Sequence, residues 1–218
     1  MKQLSLMVAL LLMVVMVKAQ TETPNSTDEM NTIFGKEKKT RIGWVIGIDP
    51  GYTQFSGRDV WMAGLSVGMI INHNFTLGLT GRGWCNRNGM YYPNVTDTTG
   101  AYLEGGYGGL LLEYTLFPKS MVHVTFPVLI GGGDASYITD PDYPEWDEND
   151  CDEHRRTIDK DQYFVVEPGV RAEINILKFM RLNAGISYRY VAGLDLINTS
   201  STVMNNFTAT VGLKFGKF

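Results

Sequence analysis

Residues 162–191 carry two long runs in which every second side chain is apolar. In the first, Phe164, Val166, Pro168, Val170, Ala172, Ile174 and Ile176 alternate with Glu167, Gly169, Arg171, Glu173 and Asn175. After Leu177-Lys178-Phe179, a second run alternates Met180, Leu182, Ala184, Ile186, Tyr188 and Tyr190 with Arg181, Asn183, Gly185, Ser187 and Arg189. Period two puts successive side chains on opposite faces of a strand. Such runs are about twice the length of an ordinary globular strand. A tilted strand needs about ten residues to cross a bilayer. A chain built this way folds into long strands with two chemically opposite faces.

The same pattern recurs along the chain and predicts eight strands, at about 41–53, 59–71, 75–86, 101–116, 121–133, 162–176, 180–191 and 205–218. In the fourth, Gly105-Gly106 and Gly108-Gly109 blur the phase and suggest bulges. Pro127 and Pro168 each remove a ladder donor, so if the fifth and sixth strands pair, the prolines are expected to share a bulge. Connectors near 72–74, 117–120 and 177–179 are short. They alternate with longer polar ones near 54–58, 86–100, 134–161 and 193–204. Short turns on one side and long loops on the other are the pattern of an outer-membrane barrel. The predicted fold is all-β, an eight-stranded antiparallel up-and-down transmembrane β-barrel over residues 40–218. An even strand number puts both ends of the chain on the short-turn side.

The segments before the strands read differently. Residues 1–19 join Lys2, an apolar run from Leu4 to Val17 and a small-residue site at Val17-Lys18-Ala19, the pattern of a signal peptide. Residues 20–39 are polar and aperiodic and are expected to form a flexible segment. The net charge is −4 with no basic cluster, which disfavours nucleic acid as a partner. Cys85 and Cys151 lie beyond the export signal, where disulfides persist, and are a candidate pair.

Alternation alone does not say which face points inward. A soluble barrel hides its apolar face, and a membrane barrel shows it to lipid. Strand length favours lipid. So do the aromatics near strand ends on the apolar face: Trp61, Phe75, Tyr102, Tyr114, Tyr188, Tyr190, Phe207 and Phe215. The segments Val124-Thr125-Phe126-Pro127-Val128-Leu129-Ile130-Gly131, Phe164-Val165-Val166-Glu167-Pro168-Gly169-Val170, Ser187-Tyr188-Arg189-Tyr190-Val191 and Val211-Gly212-Leu213-Lys214-Phe215-Gly216-Lys217-Phe218 carry a resemblance. From Trp44 onward the chain resembles the small outer-membrane β-barrel proteins of Bacteroidetes-type bacteria, a family defined by fold rather than by activity. The resemblance implies an eight-stranded barrel in the outer membrane. The ending departs from the usual assembly signal: counted back from Phe218, alternate positions are Gly216, Lys214 and Gly212 rather than apolar.

With the apolar face outward, the inward set includes Arg82, Glu113, Glu167, Arg171, Glu173, Arg181 and Arg189. A pore or proton path is one reading. A salt-bridged plug is the favoured one, because eight strands leave room for side chains and little more. The histidines, His73, His123 and His154, form no hydrolase motif and read as surface residues. The loop holding Asp140, Asp142, Glu145, Asp147, Glu148, Asp150, Asp152 and Glu153 fits no EF-hand spacing and reads as a solvated acidic loop. Its Tyr143 and Trp146 suggest a contact surface for an extracellular ligand or protein. The function expected is that of a monomeric, non-enzymatic barrel in contact with outer-membrane lipid, with no cofactor, displaying its loops for envelope structure or partner binding. An outer-leaflet lipid-modifying enzyme and a narrow channel are the alternatives.

Overall fold

The computed structural model describes residues 40–84, 91–92, 95, 101–139 and 156–218. The period-two runs become β1 (Ile42–Ile48), β2 (Gly51–Phe55), β3 (Arg58–Ile71), β4 (Phe75–Trp84), β6 (Ala101–Leu116), β7 (Val122–Thr139), β8 (Arg156–Leu177), β9 (Met180–Ala192) and β10 (Asn206–Lys217). A short β5 (Tyr91–Tyr92) pairs with β6 alone. β1 and β2 both lie between β3 and β10, interrupted at Asp49-Pro50, and make one strand of the ring. Proline has no N–H to give the ladder. The break is bridged by Asp49 N to Gly64 O at 2.9 Å and by Val211 N to the Pro50 carbonyl at 3.1 Å. Each strand pairs antiparallel with its neighbours, and β10 closes on β1 from Trp44↔Lys217 to Ile48↔Leu213. The result is an up-and-down ring of eight strands with no free edge.

Three sequence expectations are corrected. The glycine pairs of β6 make no bulge: Gly83↔Gly106, Gly81↔Gly108 and Gly109↔Gly131 lie in unbroken register. Pro127 and Pro168 sit on facing strands as expected, but without a bulge. Thr125↔Arg171 and Val128↔Pro168 share one register, and Pro127 packs toward Gly169. The ladder tolerates the missing donors by leaving gaps. The register shifts fall instead at Tyr137/Ile138 and Asn175/Leu177. Finally, β7 and β8 extend into the segment read as loop, to Thr139 and from Arg156.

The turns explain the close returns of the chain. Asn72 and His73 have φ of 52° and 63°, and Asn74 N donates to Ile71 O at 3.2 Å. That is a type I′ turn, whose twist suits the two strands it joins. Ser56 and Gly57, with φ of 48° and 76°, make a second tight turn between Phe55↔Arg58. The connector near 54–58 is therefore as short as those on the other side. Residues 72–74, 117–121 and 178–179 lie at one end of the ring, the turn end. Residues 56–57 and 193–205 connect strands at the other, the loop end, where β4 and β7 also end and β6 and β8 begin.

The outer surface is the apolar face. Trp61 is 69% exposed and Phe207 62%, and Ile42, Trp44, Ile48, Leu65, Val67, Leu79, Ile130, Phe164, Ile174 and Ile186 are exposed beside them. Aromatics mark the two ends: Tyr188 stacks edge-on to Phe207 and Tyr52 to Trp61 at the loop end, and Phe75 and Tyr114 pair across β4 and β6 at the turn end.

Candidate functional site

The polar side chains of the inner face converge in the lumen. Among the described residues, four buried carboxylates (Asp49, Glu113, Glu167 and Glu173) face four arginines, Lys214 and His123. Three of the sequence-predicted residues centre on the turn-end half. Glu173, on β8, accepts from Lys214 Nζ at 2.5 Å, lies 3.1 Å from His123 Nε2 and 3.6 Å from Arg181 Nη1. Glu113, on β6, takes both carboxylate contacts from the same Lys214, at 2.6 and 2.8 Å. Lys214 thus bridges two carboxylates that would otherwise repel. Higher in the lumen, Glu167 accepts hydrogen bonds from Arg82, the Tyr107 hydroxyl and the Ser187 hydroxyl. Arg171 Nη1 lies 3.5 Å from Asp49 Oδ2.

Arg189 differs from the others. It is fully buried, and its partners are neutral: Nε donates to Met204 O at 2.9 Å and Nη1 to the Tyr107 hydroxyl at 3.2 Å. Its guanidinium lies 4.8 Å from the Phe55 ring centre. Above it the lumen is apolar. Phe55, Val60, Met62, Trp84, Leu103, Tyr137, Tyr163 and Val165 pack together, closed by Leu194, Leu196, Val203 and Met204 of the 193–205 connection.

The space left is small. The cavity between Asp49, Ser66, Arg82, Pro127, Glu167 and Arg171 measures about 10 Å³, the least that admits one water. Long side chains fit where the inward position beside them on the neighbouring strand is a glycine, as with Arg171↔Gly185. A Cβ on Gly185 would stand 2.5 Å from Arg171 Cγ. This lumen is filled, and the apolar surface faces out.

The fold is that of a small outer-membrane β-barrel. Neisserial surface protein A has 16% identity to this chain with a TM-score of 0.51, covering 82% of this chain and 99% of that one. A major outer membrane protein of Thermus thermophilus has 12% identity and a TM-score of 0.47 over 79% of this chain and 99% of its own. The Yersinia pestis attachment invasion locus protein Ail has 10% identity and a TM-score of 0.45 over 80% and 97%. No protein-family model and no curated protein matches the sequence.

Sequence reasoning missed three members of the lumen network. Lys214 lies in the inward register of β10 and Asp49 in that of β1, one residue past its end, where the alternation alone marks them. His123 is corrected from a surface residue to a buried one, 1% exposed. Its neighbours Val122 and Val124 are on the outer face, which fixes its own side chain inward. There it lies sealed against Glu173. His73 lies in its turn at the turn end. Cys85, Cys151, His154 and the acidic residues Asp140 to Glu153 lie outside the described residues. At the loop end, burial pushes the Tyr92 phenol up to about 12, against a small opposing effect of Arg58, whose guanidinium lies 4.8 Å from its ring centre. Tyr92 therefore stays neutral at physiological pH.

Proposed function

We propose that this protein is a monomeric, integral barrel of a bacterial outer membrane whose role is envelope structure or partner binding rather than catalysis. Residues 1–19 are removed on export, the turn end faces the periplasm, and segments 85–100 and 140–155 are displayed outside the cell for envelope structure or for binding an external partner. One observation carries this reading: among the described residues, an apolar outer surface encloses a lumen crossed by paired charges, where the cavity beside Glu167 has room for about one water. Hydrocarbon solvates the first, and the second favours a plug over a conduit. The family resemblance adds a Bacteroidetes-type source. The acidic segment 140–155, with Tyr143 and Trp146, is the surface for a partner, and a Cys85–Cys151 bridge would tether it to the end of β4.

The test is membrane fractionation combined with heat-modifiable gel mobility. The expected protein is in the outer-membrane fraction and migrates faster unheated than boiled. Recovery in a soluble fraction overturns the reading. Planar-bilayer recordings separate plug from channel: no steady conductance is expected, and a stable current that changes in Arg171→Ala establishes the channel instead. An enzyme of outer-leaflet lipid would show itself by lipid turnover abolished in His154→Ala.

A further inference from the structure

Charge is segregated between the two ends of the barrel. Among the described residues, the exposed or half-exposed charged side chains around the turn end are Arg41, His73, Lys119, Lys178 and Lys217. The acidic side chains nearest that end among the described residues, Glu113 and Glu173, are buried and bound to Lys214. The loop end carries the opposite sign among the described residues, with Asp59, Glu104, Asp134, Asp159, Asp161 and Asp195 against Arg58 and Lys160.

The cations line two hollows. One, of about 810 Å³, lies between Arg41, His73, Lys119, Lys178, Arg181 and Phe218, with Arg181 stacked 3.7 Å from the Phe218 ring centre. The other, of about 440 Å³, runs beside Arg41, Ile42, Lys217 and Phe218. Its lining joins Ile42 and Lys217 of the outer register to Gly43 and Ile70 of the inner one, so this second hollow sits at the rim where the outer and inner faces meet. The same turns carry exposed apolar side chains: Phe117 at 70%, Met121 at 71% and Phe179 at 56%. Cations directly beside exposed apolar groups match an amphiphile, with an anionic head and apolar tails, better than a soluble anion. Lys and Arg at this depth reach lipid phosphates while their stems lie along hydrocarbon.

We infer that the turn end is a docking surface for anionic phospholipid head groups of the periplasmic leaflet, held by Arg41, Lys119, Lys178 and Lys217. The inference rests on the membrane placement proposed above and adds a lipid class and a leaflet to it. Basic residues near an anionic surface each contribute roughly 1 kcal/mol, or about fivefold in retention. The acidic loop end has no such attraction, so the bound anionic lipid gathers on one side.

The experiment compares the full chain with R41Q/K119Q/K178Q/K217Q in vesicles of phosphatidylcholine, with and without phosphatidylglycerol, followed by native mass spectrometry of the extracted protein. The unaltered barrel is expected to retain phosphatidylglycerol over phosphatidylcholine, and the variant to lose that preference by at least about fivefold. Arg58→Gln, at the loop end, should keep it. Equal retention of the two lipids by the unaltered barrel overturns the inference, as does an unchanged preference in the quadruple variant. Equal competition by soluble polyglutamate in phosphatidylcholine vesicles does so too, because it marks a general anion site. If the variant fails to insert, the salt response of the unaltered barrel decides: the preference must fall as ionic strength rises from about 0.05 to 0.5 M, and a flat response overturns it. A chain that enters neither vesicle would contradict the membrane placement itself.

Discussion

The two halves of the lumen are filled by opposite chemistry on the same scaffold. Toward the loop end, Phe55, Leu103, Tyr137, Tyr163 and Val165 meet as a packed apolar core. Toward the turn end, Glu113, Glu173, Lys214, His123 and Arg181 meet as a network of charges. Arg189 and Tyr107 form the seam: the Tyr107 hydroxyl donates to Glu167 and accepts from Arg189. Apolar packing is non-directional, so its strength follows the area and volume filled. A buried charge depends on named partners, and removing one leaves the others uncompensated. The halves therefore seal the same tube but respond to damage in different ways.

The largest effect is expected from Glu173→Ala, which strips a carboxylate from Lys214, His123 and Arg181. It should cost about 3–5 kcal/mol, measured by urea unfolding in lipid vesicles. Leu103→Ala, in the apolar half, should cost about 2–5 kcal/mol as a cavity. Combined with Glu173→Ala its cost should simply add, since the sites share no partner. A clear departure from additivity would mean that the halves act as one unit. Within the ionic half, a double-mutant cycle of Glu113→Gln and Lys214→Met should return a coupling of about 0.5–3 kcal/mol, with the double variant more stable than Lys214→Met alone. Zero coupling would reduce the network to a set of independent contacts. The smallest effect lies outside both halves. His73→Gly, at a φ of 63°, should raise stability by about 1 kcal/mol by relieving a left-handed side-chain clash.

The same contrast explains what the sequence discloses. In the turn-end half, outward apolar and inward polar residues alternate, so strands, faces and charges can be read from β8 and β9 directly. In the loop-end half both faces are apolar. The run Tyr163-Phe164-Val165-Val166 sends Tyr163 and Val165 inward and Phe164 outward, and no period survives. The inner apolar core was thus invisible to a rule that equates inward with polar. Pairing within the charge network was also hidden. Alternation gives a face, but it takes the closed ring to bring Lys214 of the last strand beside Glu113. Turn lengths were legible where a connector was short at the turn end. The Ser56-Gly57 return was missed because the polar residues around it, Gln54 and Arg58, belong to strands.

The network also constrains how the barrel can come to be in a membrane. Lys214 and Glu113 are 101 residues apart in sequence, and Arg82 and Glu167 are 85. Arg181 and Glu173 meet within the β8–β9 hairpin, but strands carrying Arg82, Glu113 or Lys214 would enter hydrocarbon without the distant strands that neutralise them. Partial insertion is therefore penalised at every stage before the last strand meets the first. The buried charges therefore favour an assembly in which the ring closes, through β10, before or together with membrane entry.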